Sequence, residues 1–218
     1  MPVSASAHSR RSRRGLRRVV RTLGILALLF GAWRLSAEEA LLAIQAEGEE
    51  AGKALLHHPS VDVDGDGLRR APELRTARGK TFNTGGFAPE ATTLEEAIAM
   101  EQYIELPFSV AKGTILELRA LDLAYDISET GPRAIEVCVS MDGFESHHSL
   151  YADESVDPKG EKWMDEALEA PLRLEGAECA LRIYAWGAAS PRGTLDLEDM
   201  GANVSLALRG VVVSSGID

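Results

Sequence analysis

The sequence predicts a mainly β fold, an antiparallel two-sheet β-sandwich of jelly-roll type, preceded by an N-terminal signal and a helix. Three observations predict it. From Tyr103 onward apolar residues recur at every second position, the period of a strand with one face buried. Turn signals such as "ETGP", "MDG" and "ASPRG" punctuate these runs. No long helical pattern interleaves them, which argues against parallel βαβ units and for two packed sheets. With 218 residues, 45% of them hydrophobic, the chain has room for one ordinary domain plus terminal extras.

The first 37 residues stand apart. They hold eight arginines and no acid, which leaves 15 of the 23 basic residues against all 34 acids in residues 38–218, a balance of −19. An apolar stretch from Leu23 to Trp33 follows the arginines. A basic region followed by such a stretch is the pattern of an export signal, and it falls short of the ~20 apolar residues that span a bilayer. "SRRGLRR" (Ser12 to Arg18) is similar to a twin-arginine signal, with Leu16 where that pattern prefers an aromatic. Cleavage after Ala37 puts Leu35 at a position that favours small residues, so an uncleaved anchor stays open. The acidic body repels phosphate backbones and anionic lipid. Nucleic acid is therefore not an expected partner, and membrane contact is expected only through residues 1–37 if they are retained.

Residues 38–81 are expected to be a helical linker. "EEALLAIQAEGEEAGKALL" (38–56) holds good helix formers apart from Gly48 and Gly52. It leads into "VDVDGDGLRRAPEL" (61–74), where Asp62, Asp64 and Asp66 alternate, Gly67 and Leu68 follow, and Glu73 comes seven residues after the third aspartate. A hard cation takes oxygens from alternate residues of a tight turn, a backbone carbonyl at the Leu68 position, and a bidentate carboxylate at the Glu73 position. The metal ligands expected are thus Asp62, Asp64, Asp66, Leu68 and Glu73, holding a structural Ca2+. The other reading is a solvated acidic turn, and Arg69, Arg70 and Pro72 depart from the calcium pattern.

Residues 82–218 are expected to form the sandwich. Gly79 to Pro89 reads as an irregular connection, and Thr93 with Glu96 has capping-box spacing for a short helix over Leu94 to Glu101. Strands follow at Tyr103–Phe108, with Pro107 pointing to a sheet edge, and at Thr114–Asp126, whose alternation slips near Arg119 and Ala120 as at a β-bulge. Further strands are expected over Ala134–Met141, Ser146–Tyr151, Cys179–Trp186, Gly193–Leu197 and Val204–Val213, with Asp142-Gly143 as a tight hairpin turn. Lys162 to Leu168 reads as one helical turn or a loop.

The segments "FNTGGF" (82–87), "YIELPFSVAKGTILELRALDLAYD" (103–126), "GPRAIEVCVSMDGFES" (131–146) and "LRIYAWGAASPRGTLDLED" (181–199) carry a likeness. Together they resemble the β-sandwich domain of secreted bacterial proteins that often end in a PEP-CTERM or other surface anchor, over about residues 82–213. The aspartate loop resembles a single EF-hand or dockerin-like calcium loop. The first resemblance implies a scaffold on the cell envelope and no catalytic residues. With "VVVSSGID" at the C-terminus, attachment is expected from the N-terminal side.

Among chemistry-bearing residues, Cys138 and Cys179 fit either one disulfide, worth ~4 kcal/mol in the chain-entropy model, or two half-buried thiols. Neighbours His57-His58 and His147-His148 lack carboxylate or thiolate partners at ligand spacing and read as loop histidines. Tyr184 and Trp186 share a face with Arg182, which fits an aromatic-guanidinium stack, either solvent-facing or capping the core. Asp196, Glu198 and Asp199 are the acids in which a glycosidase pair would hide. No G-x-S-x-G, Walker, dinucleotide-binding or Cys-x-x-Cys pattern occurs. The reading is an exported, non-catalytic β-sandwich protein that binds surface polysaccharide or an envelope protein. A carbohydrate hydrolase or lyase on the same scaffold, and a self-assembling surface-layer subunit, are its rivals.

Overall fold

The computed structural model describes residues 39–157 and 161–214, with the backbone alone for 161–166 and 214. The export signal or anchor expected over 1–37 lies outside the described residues. Among those described, fourteen strands and one helix follow in chain order: β1 (Glu39–Gln45), β2 (Ala54–His57), β3 (Val61–Val63), β4 (Arg69–Arg70), β5 (Arg75–Thr76), β6 (Phe82–Gly85), α1 (Leu94–Ala99), β7 (Tyr103–Val110), β8 (Thr114–Ile127), β9 (Ala134–Ser140), β10 (His148–Asp153), β11 (Glu161–Glu175), β12 (Glu178–Trp186), β13 (Thr194–Leu197) and β14 (Val204–Ser214).

These strands make two antiparallel sheets, as the alternation predicts. An eight-stranded sheet runs β2-β1-β14-β8-β13-β6-β5 with β11 also paired to β8, and a six-stranded sheet runs β10-β9-β12-β7-β3 with β4 also paired to β7. One apolar cluster fills the space between them. Leu116, Leu118, Leu121, Leu123 and Tyr125 of β8 meet Ile104 and Leu106 of β7, Val137 and Val139 of β9, and Leu181 and Ile183 of β12 there. On each side of the β8 slip they come from every second position of their strand, so the pleat delivers them to one side.

The phase slip in β8 is a bulge, as its sequence predicts. Opposite β14, Arg209 pairs with Ala120 and Gly210 with Leu118, which leaves Arg119 as the extra residue. The pairing of β11 jumps across the same place, from Ala167–Ala120 to Leu172–Leu118. The bulge returns the leucines on both sides of it to the core. The capping box is also present: Thr93 Oγ1 accepts from the Glu96 amide while the Glu96 side chain accepts from the Thr93 amide.

Several expectations are corrected. The helix expected over 38–56 is the hairpin β1–β2, with β1 seated between β2 and β14. Leu41, Leu42, Ala43 and Ile44 are all buried, so the segment is covered on both faces and tertiary packing overrides its helix propensity. Residues 39–76 therefore supply strands to both sheets and are not a helical linker. Lys162–Leu168 is part of β11, and residues 82–85 of the expected irregular connection form β6. The β9–β10 connection spans 141–147 and is longer than a two-residue hairpin.

Pro107 does not mark an outer edge, since β7 lies between β12 and β3/β4. The Asp64 amide donates to the Pro107 carbonyl at 3.1 Å. In an antiparallel strand a residue's N–H and C=O point the same way. The missing Pro107 donor thus faces Asp64, where the chain leaves the sheet between β3 and β4, and the ladder to β12 loses nothing.

Candidate functional site

The outer face of the six-stranded sheet carries a dense polar network. The residues between the core positions of β7 and β12 point outward, and the register places Arg182 opposite both Glu105 and Cys138, and Tyr184 opposite Tyr103 and Glu136. Arg182 Nε donates to Glu105 Oε2 at 2.7 Å and Nη1 donates to the Tyr184 hydroxyl at 3.1 Å. Its guanidinium carbon lies 3.9 Å from the ring centroid of Tyr103 and 3.9 Å from that of Phe144. The other Glu105 oxygen accepts from Arg69 Nε at 2.9 Å and Nη2 at 2.5 Å.

Burial opposes ionisation of Glu105, but hydrogen bonds and charge from Arg182 and Arg69 outweigh it and hold the carboxyl below its ordinary range. Burial likewise works against the Arg182 charge and is outweighed by Tyr184 and Glu105. Arg182 does stack on aromatic rings, but these are Tyr103 and Phe144 and not the Tyr184 and Trp186 expected from the sequence; Tyr184 meets the guanidinium through its hydroxyl. Two rings lie against the guanidinium, and two of its nitrogens are bound. Tyr184 and Trp186 are buried with Ala91 and Ala97 beneath the segment that carries α1, so these aromatics cap the sheet rather than face solvent.

Beside this network, ligand atoms of Glu136, Cys138 and His147 lie within 4.8 Å of one another, the one group of three such residues among those described. The Cys138 thiol donates to Glu136 Oε1 at 3.5 Å. His147 thus has the thiol and carboxylate neighbours that its sequence surroundings lack, because β9 and the turn before β10 bring together residues nine to eleven apart in the chain. Strand register is the signal that finds them: Ser149 pairs with Cys138. Of the other histidine pair, His57 ends β2 opposite Leu42 and only His58 lies in a loop. His57 Nδ1 is 2.7 Å from the Val61 carbonyl and His58 Nδ1 accepts from the Ser60 amide at 3.1 Å. Cys138 and Cys179 are both buried and free. Cys138 belongs to the capping cluster on the outer face and Cys179 to the core between the sheets.

Asp62 lies on β3 opposite Ser109, and Asp64, Gly65 and Asp66 form the excursion between β3 and β4. Asp64 sits 3.7 Å from Arg69 Nη1, and Asp66 sits 3.8 Å from Lys53 Nζ. The Leu68 amide donates to the Gly52 carbonyl, which docks the turn on the β1–β2 connection. Glu73 follows β4 in an exposed turn, with β5 rather than a helix after it. A cleft of about 390 Å³ beside the turn is lined by Asp62 and Asp66 together with Glu50, Lys53 and His57.

A larger groove, of about 550 Å³, opens between β10 and β11. Residues 168–171 leave the β8 ladder as a four-residue excursion, and His148 to Ala152 face them across the groove. Its polar groups are His148, Ser149, Tyr151 and Glu169. The Tyr151 hydroxyl donates to Asp153 Oδ2 at 3.2 Å and lies 3.5 Å from the buried Tyr125 hydroxyl. Of the acids in which a catalytic pair would hide, Asp196 accepts from Thr81 Oγ1, and Asp199 Oδ1 accepts from the Gly201 and Val204 amides.

No protein-family model and no curated protein matches the chain. Among solved structures, the chain is similar to an arginine-to-alanine mutant of CBM29-2, a family 29 carbohydrate-binding module, at 10% identity and a TM-score of 0.33, over 83% of this chain and 94% of that one. It is also similar to a structure described as "CBM4 structure and function", at 14% identity and a TM-score of 0.35, over 68% of this chain and 94% of that one. No residue role carries across at those values.

Proposed function

We propose that the protein is an exported, non-catalytic envelope component whose β-sandwich binds a polysaccharide in the groove between β10 and β11. The observation that carries this reading is the groove itself. At about 550 Å³ it falls in the ~300–1,000 Å³ range of ligand clefts. It is open along two extended chain segments, and Tyr151 offers an aromatic surface beside hydrogen-bonding groups on His148, Ser149 and Glu169. A sugar needs that combination, an apolar ring face to stack on and fixed groups to meet its hydroxyls. The balance of −19 over residues 38–218 disfavours uronates and sulfated glycans, so the ligand is a neutral polysaccharide.

Affinity electrophoresis of the full chain in gels containing neutral or uronate-rich polysaccharides tests this. Retardation by a neutral polymer that is lost in Tyr151→Ala and Glu169→Ala is the expected result. Retardation that both variants keep removes the groove from the reading. No retardation by any polymer removes glycan binding and leaves an envelope protein or a further copy of the chain as the partner.

Calcium at Asp62, Asp64, Asp66, the Leu68 carbonyl and Glu73 is a separate part of the proposal. The Asp64 and Asp66 side chains are 76% and 85% exposed, so a cation reaches them without displacing the core. Calcium is expected to raise the thermal midpoint of the full chain and to lose that effect in Asp64→Asn with Asp66→Asn. An unchanged midpoint in millimolar calcium, the range of weak extracellular sites, ends this part.

A further inference from the structure

We propose that Glu136, Cys138 and His147 form a binding site for a transition metal, with zinc as the preferred ion. The three ligand atoms already lie within 4.8 Å of one another. Tetrahedral zinc with bonds of ~2.0–2.3 Å sets its ligands about 3.5 Å apart, so closing the site takes a shift of roughly an ångström. The groups that must move are the ends of accessible side chains: His147 is exposed and Glu136 half-buried, while Cys138 is fixed in the sheet and buried.

The donor set selects the metal. One thiolate, one imidazole and one carboxylate, with water in the fourth position, suit a borderline-soft ion and exclude calcium and magnesium, which take oxygen alone. The thiol proton leaves to solvent as the sulfur–metal bond forms, and the Cys138–Glu136 hydrogen bond is replaced by two bonds to the same ion.

The surroundings are prepared on both sides. The turn that carries His147 is held by Asp142, which accepts from the Ser146 amide and hydroxyl and from Ser140, hydrogen bonds that keep its carboxyl ionised down to about 2. The His147 ring lies 6.3 Å from that of Phe144, the ring that also covers Arg182. Arg182, opposite Cys138 in the register, is the cation that would oppose a metal there, and Glu105 neutralises it at 2.7 Å.

Titration of chelator-treated full chain with Co2+ alone tests the site. One equivalent is expected to produce the near-ultraviolet charge-transfer band of a cobalt–thiolate bond, and Zn2+ to abolish it by displacement. The band should vanish in Cys138→Ser, persist in Cys179→Ser, and require at least ~10-fold more cobalt in His147→Ala. His147 is exposed, so that variant reports binding without a folding defect. No thiolate band in the unaltered chain, a band that survives Cys138→Ser, or a His147→Ala titration identical to the parent overturns the proposal.

Discussion

Gly210 and Glu117 meet at the bulge of β8 with no room between them: a Cβ on Gly210 would stand 2.0 Å from the Glu117 carbonyl oxygen. The bulge at Arg119 falls in the register next to Gly210, where β14 has no side chain. Gly210→Ala must therefore separate two central strands or unmake the bulge that keeps Leu116 and Leu118 in phase with Leu121 and Leu123. The expected loss is about 1–3 kcal/mol, the usual range for forcing a methyl group into a packed site. Urea unfolding of the two proteins measures it, and equal midpoints would show that the strands are not in contact here.

Glu105 ties β4, β7 and β12 together through Arg69 and Arg182. Its side chain is 8% exposed and that of Arg182 19%, whereas Arg69 is 58% exposed and its share is screened by solvent. Glu105→Gln keeps the shape but removes the charge, and about 2–3 kcal/mol is expected to go with it at neutral pH. The folded-state pKa of Glu105 is depressed, so its contribution is complete above the usual carboxylate value of 4.5 and is lost as pH falls through the folded value. The stability gap between parent and variant should accordingly be constant from neutral pH down to about 4.5 and close below it. A gap that widens on acidification contradicts this sign.

Asp196 has the opposite sign. Burial raises its pKa, and the charge of Asp126, its cross-strand neighbour on β8, adds to the rise against the Thr81 hydrogen bond and Arg70. A carboxylate whose folded pKa is raised stabilises the fold while protonated, and that contribution is lost as pH rises through the folded value. At neutral pH the ionised group is a liability. Asp196→Asn still accepts from Thr81, and its amide brings N–H donors to the strand opposite Asn83, whose buried Oδ1 has no partner. Thermal unfolding of Asp196→Asn should show a higher midpoint at pH 7 and no advantage below pH 3.8, the ordinary aspartate value. A lower midpoint at neutral pH would mean that the charge itself is needed.

How far the fold is legible in the sequence divides along local and non-local terms. The bulge at Arg119 is visible because a phase slip in an alternating run has one simple cause, and the Thr93–Glu96 capping box because both partners lie within four residues. The β1 segment is not, because its Leu, Ala and Glu residues prefer a helix when weighed alone. Pairing with β2 on one side and with the distant β14 on the other makes it a strand. Gly48 and Gly52, exceptions within a helical pattern, sit in the β1–β2 connection and are the warning that the segment contains. The Arg182 stack is half visible: its face follows from the alternation, but Tyr103 comes from the neighbouring strand and Phe144 from a turn, and neither position follows from spacing along β12. The cluster of Glu136, Cys138 and His147 needs the β9–β10 register for the same reason.

Pro107 supplies a test of that non-local logic. A proline inside a sheet ordinarily removes a ladder hydrogen bond, yet here its nitrogen faces Asp64, where β3 ends and the acidic excursion begins. Pro107→Ala adds an N–H on that side, with the Asp64 carbonyl as its register partner, while the looser unfolded chain costs ~0.4–1 kcal/mol. The two terms oppose each other, and the net change in stability is expected to stay within about 1 kcal/mol. Hydrogen exchange at the amide that the variant gains separates the terms: protection means the β3 ladder extends into the excursion, and rapid exchange means the excursion leaves at Asp64. A loss beyond about 2 kcal/mol would instead show that proline's fixed φ holds β7 straight between its two partners, and that the absent donor was never the reason a proline is accepted there.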